Sequence, residues 1–269
     1  MGRALRRLVT ATVALGVALG AEADPREIVR RSVAADEGKD AELALGYNFI
    51  ERIRSSDLDS QGRFRLTESK THDVRMIDGT PYRLLLEVNG RRIAAEEQRR
   101  HEAEISDVAE ARRKESTAER TARRNGFIRR RDRYRKAIRE IPDAFLFQLA
   151  GEEIVDSRAC FVILAEPRPG YQPVDRHSKL FTAVKGKLWI DKSDYNWVRV
   201  DAELTDTVTF GWILVRIHRA SQVSLTRTRL DEGVWLPRRM WYRVSMRVGL
   251  IKTYNVDTET TYSDYRRSD

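Results

Sequence analysis

Four histidines, His72, His101, His177 and His218, are the residues best suited to hold a metal or move a proton near neutral pH. No two stand at the helical spacing that brings a pair to one ion. His101-Glu102 begins the helical pattern that gives zinc two histidines and a general-base glutamate, but Ile105 stands where the second histidine is required. No Gly-rich phosphate loop and no Gly-x-Ser-x-Gly elbow occurs. The sole cysteine, Cys160, lies in the apolar run from Ala159 to Ala165 and reads as a small core side chain rather than a nucleophile. It cannot form an intrachain disulfide. Aspartates and glutamates are plentiful, yet no pair is set apart for acid–base work. The expectation is a protein that is not an enzyme, with no catalytic residue, no metal ligand and no cofactor.

What remains is non-covalent chemistry, of two kinds. The first is charge. The formal net charge is +9, and residues 91–140 alone hold 17 Lys/Arg against 10 Asp/Glu, so most of the excess belongs to one segment. Runs such as Arg129-Arg130-Arg131 and Arg133-Tyr134-Arg135-Lys136 are either a solvated face or a contact, over residues 112–139, for anionic lipid headgroups or an acidic protein. Nucleic acid is set aside, because the segment has no stacking platform and the chain reads as exported. The second kind is apolar burial. Phe210, Trp212, Leu214, Met240, Tyr242, Val244 and Met246 either line a cavity for a lipid or form an ordinary core beneath a helix.

These side chains need elements to hold them. Arg3, Arg6 and Arg7 precede an apolar run from Leu8 to Leu19, and Ala21-Glu22-Ala23 supplies the small residues of a cleavage site. Residues 1–23 therefore read as a signal peptide, cleaved before Asp24. The apolar run is short against the ~20 residues needed to span a bilayer. No cysteine near the site could accept a lipid anchor. Asp24-Pro25 then starts a helix, as a capping carboxylate followed by proline at the first helical position, with Ile28, Val29 and Val33 as its apolar stripe.

Beyond that helix the period changes from helical to alternating. Leu43–Ser55 and Arg63–Ile77 flank a loop at residues 59–62, and Asp78-Gly79 and Asn89-Gly90 are tight-turn dipeptides. From about residue 94 to 141 Gly and Pro nearly vanish and Arg, Glu and Ala dominate. This predicts two polar helices broken near Asn125-Gly126 that project into water or lean lightly on the sheet. Strands return at Ala144–Leu149 and Ala159–Glu166, then, after a loop over Tyr171–Phe181, at residues 186–204, Thr209–Ala220, Gln222–Leu230, Val234–Val248 and Lys252–Tyr265. In the hairpin at 186–204, alternation places Val198, Val200, Ala202 and Leu204 on one face and Trp197, Arg199, Asp201 and Glu203 on the other. In the longest strand Met240, Tyr242, Val244, Met246 and Val248 oppose Arg239, Trp241, Arg243, Ser245 and Arg247, so a one-residue slip would bury three arginines. One mature domain, residues 24–269, is expected.

Leu188-Trp189-Ile190-Asp191 with Tyr195–Val200, and the later Trp235-Leu236-Pro237 with Tyr242 and Val244, resemble the LolA/LolB-like superfamily of outer-membrane lipoprotein-sorting proteins, mainly over residues 145–265. The resemblance implies an α+β, mostly antiparallel fold: an open β half-barrel with a short N-terminal helix and, here, a charged helical insertion. It further implies a periplasmic protein whose cavity between sheet and helices takes a lipid or lipoprotein acyl chain, with the apolar residues named above as its lining. A cell-envelope interaction or sensing module, docking through the Arg-rich insertion, is the other reading.

Overall fold

A computed structural model describes residues 23–37, 46–210, 215–230, 233–249 and 252–268. The expected signal peptide (all but its last residue), Trp212 and Leu214 lie outside these, as do the side chains of Phe127, Ile128 and Tyr134. The elements are α1 (Pro25–Glu37), β1 (Tyr47–Leu58), β2 (Phe64–Ile77), β3 (Thr80–Val88), β4 (Arg91–Arg92), α2 (Ala95–Arg113), α3 (Thr117–Ala144), β5 (Phe145–Val155) and β6 (Arg158–Pro167). A 3-10 turn at Ser178–Ala183 leads to β7 (Val184–Asp191), β8 (Trp197–Leu204), β9 (Val208–Phe210), β10 (Val215–Ile217), β11 (Gln222–Arg229), β12 (Trp235–Val248) and β13 (Lys252–Arg267).

All thirteen strands join one antiparallel, unclosed sheet in the order β4-β3-β2-β1-β13-β12-β11-β8-β7-β6-β5, with β10 pairing β12 and β9. The fold class expected from alternation is the one observed. Its turns form where the sequence places them. Asp78 and Asn89 take positive φ (47° and 51°) before their glycines, and Asp59 Oδ1 accepts the backbone N–H groups of Gln61 and Arg63 in the β1–β2 loop (2.8 and 2.9 Å). Asp24 Oδ1 caps α1 through Arg26 N–H at 3.0 Å. Ile28, Val29 and Val33 of α1 are buried against Ile163, Leu188, Ile190 and Phe145. α1 is also fixed by polar ties, Trp197 Nε1 donating to Ser32 Oγ at 2.6 Å and Arg227 Nη1 to Asp36 at 2.8 Å.

Three expectations are corrected. The insertion helices break at Lys114–Ser116, not at Asn125-Gly126: Ser116 and Glu119 form a complete capping box, with Ser116 N–H donating to Glu119 at 2.8 Å and Glu119 N–H to Ser116 Oγ at 3.2 Å. α3 then runs unbroken through Gly126 and Pro142 to Ala144. In the 186–204 hairpin, a bulge between Trp189 and Ile190 pairs Ile190 with Trp197 and Trp189 with Arg199. Trp197 therefore turns into the core under α1, 8% exposed, while Val198 joins Cys160, Val162, Trp189 and Trp235 on the other side. Strict alternation had them exchanged. Lastly, Thr209–Ala220 is not one strand; its described parts are β9 and β10.

Candidate functional site

On the helix-facing side, one row of side chains crosses ten strands. Leu149, Ile163, Leu188, Val200, Leu225, Met240, Thr260, Ile53, Lys70 and Val88 are successive register partners from β5 to β3. Directly opposed residues in antiparallel pairs share a face, so the row is one surface. Its cover changes along its length. Ile163 and Leu188, beneath α1, are 0% and 6% exposed, whereas Met240 is 37% exposed. Around Met240 lie Val223 and Leu225 of β11, Tyr242, Val244 and Met246 of β12, and Val256 of β13, all half-buried. Four of the seven residues expected to line a cavity thus stand together on this face. Phe210 packs instead with Ala183, Leu204 and Val208 beside β9.

α3 is held at both of its ends. At its start, Arg123 Nη1 donates to the carbonyl oxygen of Asp78 and to Thr80 Oγ1 (3.0 and 3.1 Å), and Nη2 pairs with Asp78 and Glu115. Arg120 adds an ion pair with Asp78 at 3.4 Å, and Arg112 donates to the Ile77 carbonyl. At its other end Glu140 accepts four donors: Tyr171 O–H, Val174 N–H (2.9 Å), Asp175 N–H (2.8 Å) and Ser178 O–H (2.9 Å). Burial pushes the Glu140 carboxyl up, but these hydrogen bonds outweigh it and hold the group below its ordinary range. α3 has 28 residues, about 42 Å of helix. The sheet from β2 to β5 is eight strand spacings wide, roughly 38 Å. A helix fixed to the β2–β3 turn and continuous with β5 is therefore long enough to bridge the sheet. Ile138, Ile141 and Ala144 place it on the face that α1 covers.

The apolar surface ends in a polar group towards β3. Glu51 of β1, 4% exposed, accepts from Arg83 Nε and Nη2 at 2.8 and 3.3 Å, and His72 Nδ1 lies 3.8 Å from the same carboxylate. Tyr262, the β13 register partner of Glu51, completes the group. Burial lowers the His72 imidazole below its ordinary value, with Glu51 opposing, and burial raises the Tyr262 phenol, with Glu51 and, more weakly, Tyr242 pushing the same way. Sequence reading missed this group, because its members come from four strands and His72 looks isolated until register is known.

The opposite face has a different chemistry. A cavity of about 700 Å³ is lined there by Leu164, Lys187, Arg199, Asp201, Ser224, Arg239 and Trp241 among others. Its charges pair with one another or with neighbours: Arg199 with Asp201 (2.6 Å), Arg239 with Glu259 (2.6 Å) and Lys187 with Glu153 (3.0 Å). Trp189 and Trp241 donate to Glu153 (2.7 Å) and Asp257 (3.2 Å). Cys160 is fully buried, and burial pushes its thiol up to about 11, so the core reading of that residue holds. Among the described residues no cluster of His, Cys, Asp and Glu could hold a metal ion.

No protein-family model matches the chain, and no curated protein matches it in sequence. Among solved structures it is similar to a DUF1329 family protein from Desulfovibrio piger, at 13% identity over 91% of this chain and 93% of that one, with a TM-score of 0.33. It is also similar to a domain described as an outer membrane lipoprotein-sorting protein from Vibrio parahaemolyticus (14% identity, 90% and 92% covered, TM-score 0.32). A LolA superfamily protein from Nitrosomonas europaea aligns at 12% identity over 91% and 94% of the two chains, with a TM-score of 0.29. The geometry of the chain itself carries the functional reading.

Proposed function

We propose that this protein is an exported, periplasmic, carrier-like protein that binds a lipid, or the acyl part of a lipoprotein, without catalysis. The chain would lie between α3 and the apolar surface around Met240, Tyr242, Val244 and Met246. One observation carries the reading: the cross-strand row is buried under α1 but left half-open at Leu225 of β11 and Met240 of β12, while α3 is held at its two ends. An apolar surface of that kind is stabilised by an apolar ligand at about 25 cal/mol per Å² removed from water. The test is organic extraction and mass spectrometry of purified protein, with titration of a fluorescent fatty acid. Met240→Glu and Met246→Glu should each weaken binding about tenfold or more, since a desolvated charge would replace an apolar contact. Protein that carries no lipid and gives no titration would sink the proposal.

A second reading is favoured by α2, which buries none of its residues. An insertion that opens with so polar a surface helix suits docking onto an anionic membrane surface or an acidic protein, through the basic residues 112–139 that follow in the end of α2 and in α3. Arg112, Arg120 and Arg123 already hold the β2–β3 turn, so such docking would fall to the later part of the segment, from Arg129 onward.

A further inference from the structure

We infer that Arg83, His72 and Lys70 hold the acidic headgroup of the bound amphiphile, and that His72 takes up a proton when that headgroup arrives. The inference rests on the lipid-binding reading and adds the headgroup class to it.

Position is the first argument. Lys70 is the register partner of Ile53 in the apolar row, and His72 is the partner of Glu51 two residues along the same strands. The polar group therefore continues the surface on which the chain would lie, at the end where α3 is held to the β2–β3 turn. Donor capacity is the second. Arg83 directs Nε and Nη2 at Glu51, while its side chain stays 57% exposed, so its Nη1 edge, engaged by none of the described residues, can meet an incoming oxyanion. His72 supplies the third argument, because its Nδ1 is buried and has no hydrogen-bond partner among the described residues.

Charge balance then explains the proton. Among the described residues, the charges that act most on His72 are those of Glu51, Arg83 and Lys70. Lys70 is itself paired with Glu68 at 3.1 Å. α2, which packs on β3, directs Glu104 to Tyr82 rather than into the group. Two carboxylates and two cations cancel, so a neutral imidazole suits this group by itself. An added anion breaks that balance, and protonation of His72 restores it while giving the ring nitrogen a donor for the new oxygen. A fatty-acid carboxylate and a lysophospholipid phosphate share this chemistry.

Calorimetric titration of the full mature chain with oleate, methyl oleate and oleoyl lysophosphatidate tests the inference. The wild type should bind the acids about tenfold or more tightly than the neutral ester, and the more tightly bound acid identifies the source. Arg83→Gln and His72→Gln should each drive the acid-to-ester ratio towards one. Since Arg83→Gln leaves Glu51 buried without its partner, the double variant Glu51→Gln/Arg83→Gln serves if the single one fails to fold. Repeating the oleate titration at about pH 7 in two buffers of different protonation enthalpy should show uptake of close to one proton in the wild type and none in His72→Gln. A wild type that binds ester and acids alike, or a preference that survives both substitutions, overturns the headgroup site while leaving lipid binding standing. If none of the three binds, the lipid reading falls and takes the headgroup site with it.

Discussion

At Asp191 one carboxylate does the structural work of the most recognisable run in the sequence. It is 1% exposed and ends β7, where it accepts hydrogen bonds from Arg158, from Ser193 N–H at 2.8 Å and Ser193 O–H, and from Asp194 N–H at 3.2 Å. Burial pushes the carboxyl up, but these donors outweigh it and hold the group at about 2 instead of 3.8. A depressed folded-state value means stability that is fully present above the unfolded value and lost as pH falls through the folded one. The difference corresponds to roughly 2 kcal/mol. Asp191→Asn should therefore lower the urea-unfolding free energy at neutral pH by about 2 kcal/mol. The gap between the two proteins should narrow as acid titrates the wild-type group towards about 2. A gap independent of pH would show that Asp191 matters through shape and not charge.

Among the elements, α3 bears most directly on function, and its attachment is electrostatic at one end and continuous with the chain at the other. Arg123 alone reaches Asp78, Thr80 and Glu115. Arg123→Ala should free the α2–α3 corner and raise amide hydrogen exchange across 95–123 by tenfold or so, consistent with the loss of about 1–2 kcal/mol of charge-assisted bonds. Exchange in β11–β13 should stay unchanged; a uniform rise would mean that the corner supports the whole fold. The helical character of this insertion was legible from its composition, and the sheet from alternation and turn dipeptides. Its break was misplaced because Asn-Gly outweighed Ser116-x-x-Glu119, the capping signal that in fact starts α3. Trp197 and Val198 were exchanged because a bulge is invisible to a period of two. Of the candidate site, β12 announced itself through Met240, Tyr242, Val244 and Met246. Glu51, His72 and Arg83 could not, since only pairing between distant strands brings them together.

For the whole molecule, charge and apolar surface are segregated: most of the formal +9 sits in residues 91–140, while the sheet is near neutral. If the insertion meets membranes, co-sedimentation with vesicles containing about 30% anionic lipid should fall steeply between low and physiological salt, as each Lys/Arg near such a surface gains about 1 kcal/mol. Arg129→Glu with Lys136→Glu should abolish it, and retention by neutral vesicles would argue against an electrostatic contact.

The strand order has a consequence for how the chain reaches its fold. β1 sits inside the sheet beside β13, with Tyr47 opposite Arg267. This pair joins β1 to β13, closing a loop of roughly two hundred residues, and such distant pairings form late and slowly. Until the final residues arrive, β1 keeps an open edge and the β1–β4 meander cannot be stitched to the rest. Delivery must be complete before the halves can unite, which makes the interval between the two the moment when the chain needs most protection from its neighbours.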